Sequence, residues 1–203
     1  MPPQAKRYDR EYFDRWYRHS RNALYHLAML PRRVQLAVAA AEYLLERPIR
    51  SVLDVGCGEG RWRPLLLRAR PRVRYLGVDS SEYVVGRYGR RRNIRLGRFG
   101  HLGRMALRGP FDLIVCADML HYVPLAEARI GLTAMARLLG GVAFIELYTA
   151  ADRTVGDDVA FQPRSPAAYR RLFREAGLLH LGLHCYTGRR LRDRLMAFER
   201  GQA

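Results

Sequence analysis

Short apolar runs alternate with longer helix-like stretches along the chain from Ser51 onward. The runs are rich in valine, leucine and isoleucine and contain few charges, which is typical of strands buried within a sheet. They are SVLDV, VRYLGVD, NIRLG, FDLIVCADML and GGVAFIELY, in chain order. The pattern predicts five buried strands, of which the third is the weakest.

The stretches between and after these strands repeat apolar residues at the spacing of a helix turn. The predicted helices are RWRPLLLRAR, SSEYVVGRYGR, PLAEARIGLTAMARLL and SPAAYRRLFREAGL. The last one has clear boundary signals, with Ser165 as N-cap, Pro166 in the first position and Gly177 at the end. The segments LLHLGLHCY and RLMAFER then predict a closing pair of antiparallel strands.

Alternating strands and helices predict a fold of the α/β class, a mostly parallel sheet with helices on both faces. In such sheets a ligand binds beyond the carboxyl ends of the strands, where the strand order reverses. We therefore expect the functional residues directly after the first four strands.

The first 47 residues have a different pattern, which predicts two or three helices broken at Pro31. Because this segment precedes the first strand, it can lie over the carboxyl edge of the sheet. We predict an N-terminal helical cap or lid over residues 1–47 and a Rossmann-like domain over residues 48–203.

Composition narrows the class of protein. A chain of 203 residues that is 49% hydrophobic suits one folded domain with a sizeable core. The three cysteines, Cys57, Cys116 and Cys185, are far apart, so they indicate neither a disulfide framework nor a metal site. No signal-peptide core or membrane-spanning run is visible, and we expect a cytoplasmic protein without membrane contacts.

The formal net charge is +17, and the excess is almost entirely arginine. This excess has two explanations, a GC-rich coding sequence or an anionic partner such as a phosphate, a nucleic acid or an acidic carrier protein. The arginines are scattered through the chain, with local clusters at GRRRNIR and RRLRDR. Scattered charge indicates a generally basic surface rather than one binding arm.

A glycine-rich motif follows the first predicted strand. Asp54, Gly56, Gly58 and Gly60 form D-x-G-x-G-x-G between a strand and a helix, and Asp79 ends the second strand. The glycines allow a ligand to approach the backbone closely. An acid in the position of Asp79 can accept hydrogen bonds from both ribose hydroxyls of an adenosine.

Two classes of cofactor compete for this motif. A dinucleotide requires G-x-G-x-x-G, and its pyrophosphate would be repelled by Asp54 and Glu59. Here the last interval of the motif is one residue short. S-adenosylmethionine carries a sulfonium and an ammonium instead of a phosphate, and Asp54 would attract its amino end. Spacing and charge both favour the sulfonium cofactor.

From Ser51 to about Gly182 the chain resembles the class I S-adenosylmethionine-dependent methyltransferases. The similarity is carried by VLDVGCGEG, YLGVDSSEY, FDLIVCADMLHYV, GGVAFIE and SPAAYRRLFREAGL, which occur in the order of the family's motifs. The resemblance implies a Rossmann-like sheet of seven strands, the last of them antiparallel. It implies S-adenosylmethionine as cofactor and S-adenosylhomocysteine as product.

The same resemblance assigns roles to individual residues. The glycine loop would line the methionine part of the cofactor, Asp54 would reach its ammonium, and Asp79 would hold the ribose. The full predicted cofactor set is Asp54, Gly56, Cys57, Gly58, Gly60, Asp79, Ser80, Phe99, Gly100, Ala117 and Asp118. The family usually has an acid after the third strand that accepts from the adenine amino group, but Arg98 stands there. An arginine cannot accept a hydrogen bond, so adenine would be held by backbone groups near Phe99 and Gly100, or by stacking.

Candidate acceptor and lid residues flank this pocket. His121, just past the fourth strand, is the predicted general base, with a packing role as the alternative. Tyr122 and Tyr148 are predicted walls of the acceptor site. The N-terminal aromatics would either cover the sulfonium or pack on the core, and they are Tyr8, Tyr12, Phe13, Trp16 and Tyr17.

The leading functional hypothesis is methyl transfer from S-adenosylmethionine to an oxygen or nitrogen of a small molecule, for which the charge also permits an anionic or carrier-bound acceptor. A methyltransferase acting on RNA or another polyanion is the second hypothesis, although ADMLHY lacks the Asn/Asp-Pro-Pro-aromatic segment typical of base-methylating enzymes. A catalytically inactive cofactor-binding partner protein is the third. A nicotinamide dehydrogenase is disfavoured by the spacing of the loop.

Overall fold

A computed structural model of the chain describes residues 6–18, 21–153 and 157–200. The strands are β1 (Ser51–Val55), β2 (Arg74–Asp79), β3 (Ile94–Leu96), β4 (Phe111–Ala117), β5 (Leu139–Glu146), β6 (Leu179–Gly182) and β7 (Cys185–Thr187). The helices are α1 (Arg10–Tyr17), α2 (Arg21–Leu45), α3 (Trp62–Ala69), α4 (Glu82–Arg92), α5 (Leu125–Leu138), α6 (Pro166–Glu175) and α7 (Ala197–Arg200). The first five predicted strands and the four predicted helices after Ser51 are all present.

The seven strands form one sheet in the order β3-β2-β1-β4-β5-β7-β6. Strands β1 to β5 pair in parallel, whereas β7 pairs antiparallel with both β5 and β6. The chain turns back between β3 and β4, so the strand order reverses between β1 and β4. This is the place in the sheet where a parallel α/β fold binds its ligand.

The core lies on both faces of the sheet, as the predicted fold class requires. Side chains of α5 and α6 pack with Leu53, Ile114 and Ile145 on one face. Side chains of α2 and α3 pack with Val52, Leu113 and Phe144 on the other. Alternate residues of each central strand therefore enter opposite cores, and both faces are buried.

Local capping explains where several helices begin. Ser81 accepts a hydrogen bond from the Val84 amide at the start of α4, and Ser165 does the same for Ala168 at the start of α6. Gly177 follows α6 with φ of +80°, a conformation that glycine adopts without strain.

The predicted break at Pro31 is wrong, because α2 continues through this residue. Proline removes one backbone N–H and leaves the carbonyl of Leu27 without its helical donor. Leu27 and Pro31 are both exposed, so water can bind that carbonyl. The helical cap thus consists of two helices within the described part of the chain, while residues 1–5 and 19–20 of the predicted cap lie outside it.

The predicted closing strand pair is also partly wrong. Both β6 and β7 come from LLHLGLHCY, and RLMAFER lies in a 3-10 turn and in α7. Positive φ angles at Gly182, Leu183 and His184 reverse the chain within what the sequence pattern predicts as one strand. The division of the chain at residue 47 stays a prediction, although α2 shares a hydrophobic core with the sheet.

None of the helices within the described residues is long and apolar enough to cross a membrane.

Candidate functional site

The glycine loop lies at the carboxyl end of β1, directly beside the reversal of strand order. Gly56, Gly58 and Gly60 have φ angles of +66°, +51° and +70°, which side chains with a Cβ rarely tolerate. The Gly56 and Cys57 amides both donate to the carbonyl of Val78 on β2. These bonds hold the loop across the ends of β1 and β2, where its backbone can face a ligand.

Two adjoining cavities open above this loop. The first cavity lies toward α2 and is lined by residues that include Arg33, Asp54, Cys57, Trp62, Ala117 and Glu146. The second cavity lies toward β3 and α5 and is lined by residues that include Gly58, Asp79, Ser80, Arg98, Phe99 and Glu127. Tyr17, Gly56 and Asp118 line both cavities, and so form the wall that separates them.

Asp54 is the buried acid of the first cavity. It is 2% exposed, and its Oδ2 accepts a hydrogen bond of 2.7 Å from the Tyr75 hydroxyl. Burial is the main cause that raises the pKa of Asp54, to about 7; the Tyr75 hydrogen bond opposes this shift and repulsion from Asp79 adds to it. A cation in this cavity would favour the charged form of Asp54.

Glu146, at the end of β5, is a second acid of the first cavity. Its Oε1 lies 2.6 Å from a guanidinium nitrogen of Arg33 on α2. Its Oε2 is buried without a hydrogen-bond partner among the described residues. A buried oxygen of this kind is costly unless a ligand donates to it, so the first cavity can take a group with N–H or O–H donors.

Asp79 is the buried acid of the second cavity. Its two oxygens accept from the amides of Gly58, at 2.7 Å, and Ser81, at 2.9 Å. Burial raises the pKa of Asp79 despite these bonds. A carboxylate oxygen can accept more than one hydrogen bond, so Asp79 keeps capacity for a ligand while it holds the glycine loop. Ser80 beside it is exposed on the cavity wall.

Glu127, on the first turn of α5, is a cavity acid that the sequence reasoning missed. Its Oε1 accepts a hydrogen bond of 3.2 Å from the Gly100 amide, and its side chain packs over Gly100. The Gly100 amide, which was predicted to bind adenine, therefore already has Glu127 as its hydrogen-bond acceptor. Arg98 and Phe99 do line the second cavity, as predicted. The sequence does show Glu127 as an acid shortly after Pro124. Nothing in the surrounding residues, however, indicates that its side chain lies beside Gly100, which follows β3.

The predicted lid aromatics lie over the two cavities. Tyr8, Tyr12 and Tyr17 line the second cavity, and Trp16 and Tyr17 line the first. The Tyr17 hydroxyl covers Gly58 so closely that a Cβ added there would lie 2.5 Å from its oxygen. Tyr122, a predicted acceptor wall, also lines the second cavity.

Three contacts fasten this N-terminal segment to the sheet edge. The Ser81 hydroxyl donates to the carbonyl of Tyr8, and Arg61 donates to the carbonyl of Tyr17. The Lys6 ammonium pairs with Asp157 and lies 3.2 Å from the centre of the Tyr122 ring. The cap therefore closes the cavities from the solvent side.

Within the glycine motif, Gly60 and Glu59 do not face the two cavities. Gly60 faces Ile94 and Tyr75 rather than the cavity walls, so its need for glycine is explained by its φ angle and this packing. Glu59, expected to repel a pyrophosphate, is turned toward Arg18, 2.5 Å away, and the Tyr88 hydroxyl. The charge argument against a dinucleotide thus rests on Asp54 rather than on Glu59.

His121, the predicted general base, is not among the residues that line the two cavities. It is 1% exposed, and its Nδ1 accepts a hydrogen bond of 3.3 Å from the Tyr148 amide. Its Nε2 faces Oδ1 of Asp118 at 3.6 Å. Burial lowers the pKa of His121 to about 4, so the ring is neutral at physiological pH. Tyr148 contacts the histidine through this amide and through its ring.

The chain matches the model of a methyltransferase domain over residues 9–198. It belongs to this methyltransferase family.

Similar proteins agree with this membership. The methyltransferase is 34% identical over 79 residues to trans-aconitate 2-methyltransferase of Deinococcus radiodurans, a match that spans 39% of this chain and 30% of that relative's length. A S-adenosylmethionine-dependent methyltransferase from Archaeoglobus fulgidus shares the fold with a TM-score of 0.61 and 17% identity, covering 83% of this chain and 73% of the other. Magnesium protoporphyrin IX methyltransferase of Synechocystis PCC 6803, solved with S-adenosylhomocysteine, has a TM-score of 0.57 and 19% identity over 84% of this chain and 85% of its own.

The family match confirms three predictions from the sequence: the family, the enzyme class of a methyltransferase, and S-adenosylmethionine as its cofactor. The structural matches confirm the predicted Rossmann-like fold. The geometry also fits this cofactor, because an acid or an unsatisfied buried oxygen is available in each cavity and a bare glycine loop connects them. The roles of individual residues are proposals, developed below.

Proposed function

We propose that this methyltransferase moves the methyl group of S-adenosylmethionine to an oxygen or nitrogen of a small-molecule acceptor. The observation that carries the proposal is the divided cavity above the glycine loop, with Asp79 in one half and Asp54 in the other. The cofactor has two matching ends, an adenosine and a charged amino acid, with the sulfonium between them. Bound S-adenosylmethionine supplies the methyl group on a positively charged sulfur.

We place the adenosine in the second cavity. Asp79 would accept from the ribose hydroxyls while it keeps its bonds to the loop amides, and Ser80 would flank the base. Phe99 and the aromatic side chains of the cap provide apolar surface on which adenine can lie.

We place the amino-acid end in the first cavity. Asp54 and the buried Oε2 of Glu146 would accept from the ammonium, and Ala117 would pack beside it. The backbone of Gly56, Cys57 and Gly58 would line the linkage between the two ends. Tyr17 would cover the sulfonium, because an aromatic face attracts a cation.

A small acceptor is favoured over RNA by the closure of the site. The cap lies over both cavities and is fastened by three contacts, so a polymer would have to displace it to reach the glycine loop. Two of the three similar proteins described above are named for their substrates, trans-aconitate and magnesium protoporphyrin IX, both small molecules. The net charge of +17 fits an anionic acceptor of this size as well as a polyanion.

Calorimetry with S-adenosylmethionine, S-adenosylhomocysteine and NAD tests the cofactor site, and transfer of a labelled methyl group to small molecules or to total RNA tests the acceptor class. We expect micromolar binding of the two sulfur nucleosides and label in small molecules only. Binding of NAD alone would contradict the cofactor site. Label in RNA, with binding that weakens steeply as salt rises, would favour the polyanion alternative.

Glu127 provides a specific prediction about adenine. We propose that its second oxygen accepts from the adenine amino group, in place of the acid that Arg98 replaces. The unmodified enzyme should then prefer S-adenosylhomocysteine to S-inosylhomocysteine, whose base has a carbonyl oxygen at that position, by about 10- to 100-fold, since a hydrogen bond to a charged group contributes about 1.5–3 kcal/mol.

The variant Glu127→Gln should reduce this preference to about threefold or less, because a glutamine amide can also donate. Calorimetry with both ligands measures the change. Glu175→Gln on the surface of α6 is the matched control and should leave the preference intact. An unaltered preference in a folded Glu127→Gln variant would show that adenine is held by other groups.

A further inference from the structure

Asp118 differs from the other acids that line the two cavities. Each of the others has a partner for its carboxylate: Tyr75 for Asp54, two loop amides for Asp79, the Gly100 amide for Glu127 and Arg33 for Glu146. Among the described residues, the Asp118 carboxylate makes no hydrogen bond, and the nitrogen facing it is Nε2 of His121 at 3.6 Å. Its oxygens are thus available to a ligand.

Asp118 also stands at the wall between the cavities. It lines both of them, and its side chain is 48% exposed, toward these spaces. Because we place adenosine in one cavity and the amino-acid end in the other, the sulfonium would lie at this wall. The Asp118 carboxylate would therefore lie close to the position where the methyl group is transferred to the acceptor.

The backbone at Asp118 has an uncommon conformation that places the side chain there. Its φ angle is +59°, in the left-handed region, and its amide donates to the carbonyl of Glu146. A left-handed residue other than glycine costs about 1 kcal/mol, less for aspartate than for most residues. Such conformations persist where the surrounding structure imposes them, and they concentrate at functional sites.

His121 is arranged to face Asp118 as a donor. Since its Nδ1 accepts from the Tyr148 amide, the single proton of the neutral ring must be on Nε2. That nitrogen lies 3.6 Å from Oδ1 of Asp118. The histidine therefore has no free lone pair for the acceptor's proton, but it can orient the carboxylate.

We propose that Asp118 is the general base of the methyl transfer and that His121 is its positioning residue. The proposal rests on the proposed function, and it specifies the acceptor as one that must lose a proton, a hydroxyl or an ammonium group. The acceptor proton passes to the Asp118 carboxylate while the acceptor lone pair forms the bond to the methyl carbon. The carbon–sulfur electron pair stays on sulfur, which becomes neutral, and Asp118 later releases the proton to solvent.

The charges around Asp118 suit this task. Facing it are Glu146 of β5, Arg33 of α2, Lys6 of the cap, Asp157 of the connection after β5, His121, and the phenols of Tyr17 and Tyr122. Partial desolvation by the cavity walls, then repulsion from Glu146, raise the pKa of Asp118 to about 7, against the attraction of Arg33 and Lys6. A base with a pKa near the working pH combines a large ionised fraction with good proton affinity.

The first experiment requires no acceptor. Carbon-13 carboxyl NMR of aspartate-labelled protein, in its complex with S-adenosylhomocysteine, should show a signal that titrates near pH 7 and is missing in Asp118→Asn. His121→Phe should raise that midpoint, and His121→Gln, which keeps an N–H donor, should restore it. A midpoint below pH 5, or one indifferent to His121→Phe, would overturn the proposal.

The second experiment measures transfer to catechol, tyramine and trans-aconitate. For the hydroxyl and amine acceptors, Asp118→Asn should lower kcat at least about 100-fold and remove the rise in rate through pH 7. For the carboxylate acceptor, which has no proton to lose, kcat should fall much less than for the other two acceptors. Asp158→Asn, which changes an exposed acid in the connection after β5, is the matched control and should change none of the three rates.

Ligand affinity separates this proposal from the proposed function. The family resemblance placed Asp118 among the cofactor-binding residues, whereas the present proposal has it act on the acceptor. Asp118→Asn should therefore keep its affinity for S-adenosylmethionine and S-adenosylhomocysteine. A selective loss of S-adenosylmethionine binding would show that Asp118 holds the sulfonium instead of serving as base. Failure of the unmodified protein to bind either nucleoside would refute the proposed function itself. If none of the three acceptors is methylated, the titration midpoint of Asp118 and its change in the His121→Phe and His121→Gln variants decide whether the proposal holds.

Discussion

Asp79→Ala is expected to raise the Kd for S-adenosylhomocysteine at least about 100-fold. The substitution removes two charge-assisted hydrogen bonds to the ribose, each contributing about 1.5–3 kcal/mol. It also removes the acceptors for the amides of Gly58 and Ser81, so the loop that faces the ligand loses its support. Isothermal titration calorimetry measures the affinity, and thermal unfolding shows whether the fold is kept.

Glu82→Ala is the matched control for this prediction. Glu82 is an exposed acid in the first turn of α4, close to Asp79 in the sequence. Its removal should change the affinity less than about threefold, because exposed charges contribute little. If Asp79→Ala stays folded and binds S-adenosylhomocysteine with unchanged affinity, Asp79 does not hold the ribose.

Gly58→Ala is expected to impair both folding and binding. The residue has φ of +51°, and the added Cβ would lie 2.5 Å from the Tyr17 hydroxyl oxygen. The left-handed conformation alone costs a non-glycine residue about 1–2 kcal/mol, and the overlap also displaces the cap from the loop. We expect a lower midpoint of thermal unfolding and a Kd for S-adenosylhomocysteine raised about tenfold or more.

Gly86→Ala tests whether these effects belong to the site. Gly86 lies within α4, and a Cβ added there meets no atom within 4 Å. This control should stabilise the fold by about 0.5–1 kcal/mol, since alanine favours helix more than glycine does. In the double variant Gly58→Ala/Tyr17→Phe, loss of the hydroxyl should recover part of the affinity. No recovery would show that the overlap with Tyr17 is not the cause.

The residues predicted for the cofactor site lie together in the structure where neighbours in sequence are also neighbours in space. Asp54, Gly56 and Gly58 belong to one strand–turn segment, and Asp79 ends the next strand, which pairs with the first in parallel. Their meeting at one edge of the sheet follows from that pairing alone. The same logic placed Ala117 and Asp118 beside them, because β4 is the neighbour of β1 on the other side.

Contacts from distant parts of the chain could not be predicted in this way. Glu127 reaches Gly100 only because α5 packs against the 3-10 turn at Phe99–Arg104. Tyr17 covers Gly58 because α1 crosses the carboxyl edge. A sequence pattern shows that such helices are amphipathic, but it does not specify which turn of each helix meets which loop.

The sequence by itself therefore determined the fold, the family and the main features of the cofactor site, because these depend on strand periodicity and on residues adjacent in the chain. Only the tertiary structure decided which acid is available for chemistry. His121 and Asp118 are both polar residues after the same strand, and their roles depend on hydrogen bonds. The Tyr148 amide, from the end of another strand, occupies His121, whereas Asp118 faces both cavities without a hydrogen-bond partner among the described residues. Burial and hydrogen bonding are set by the whole packed molecule, and the proposed choice of Asp118 as base rests on them.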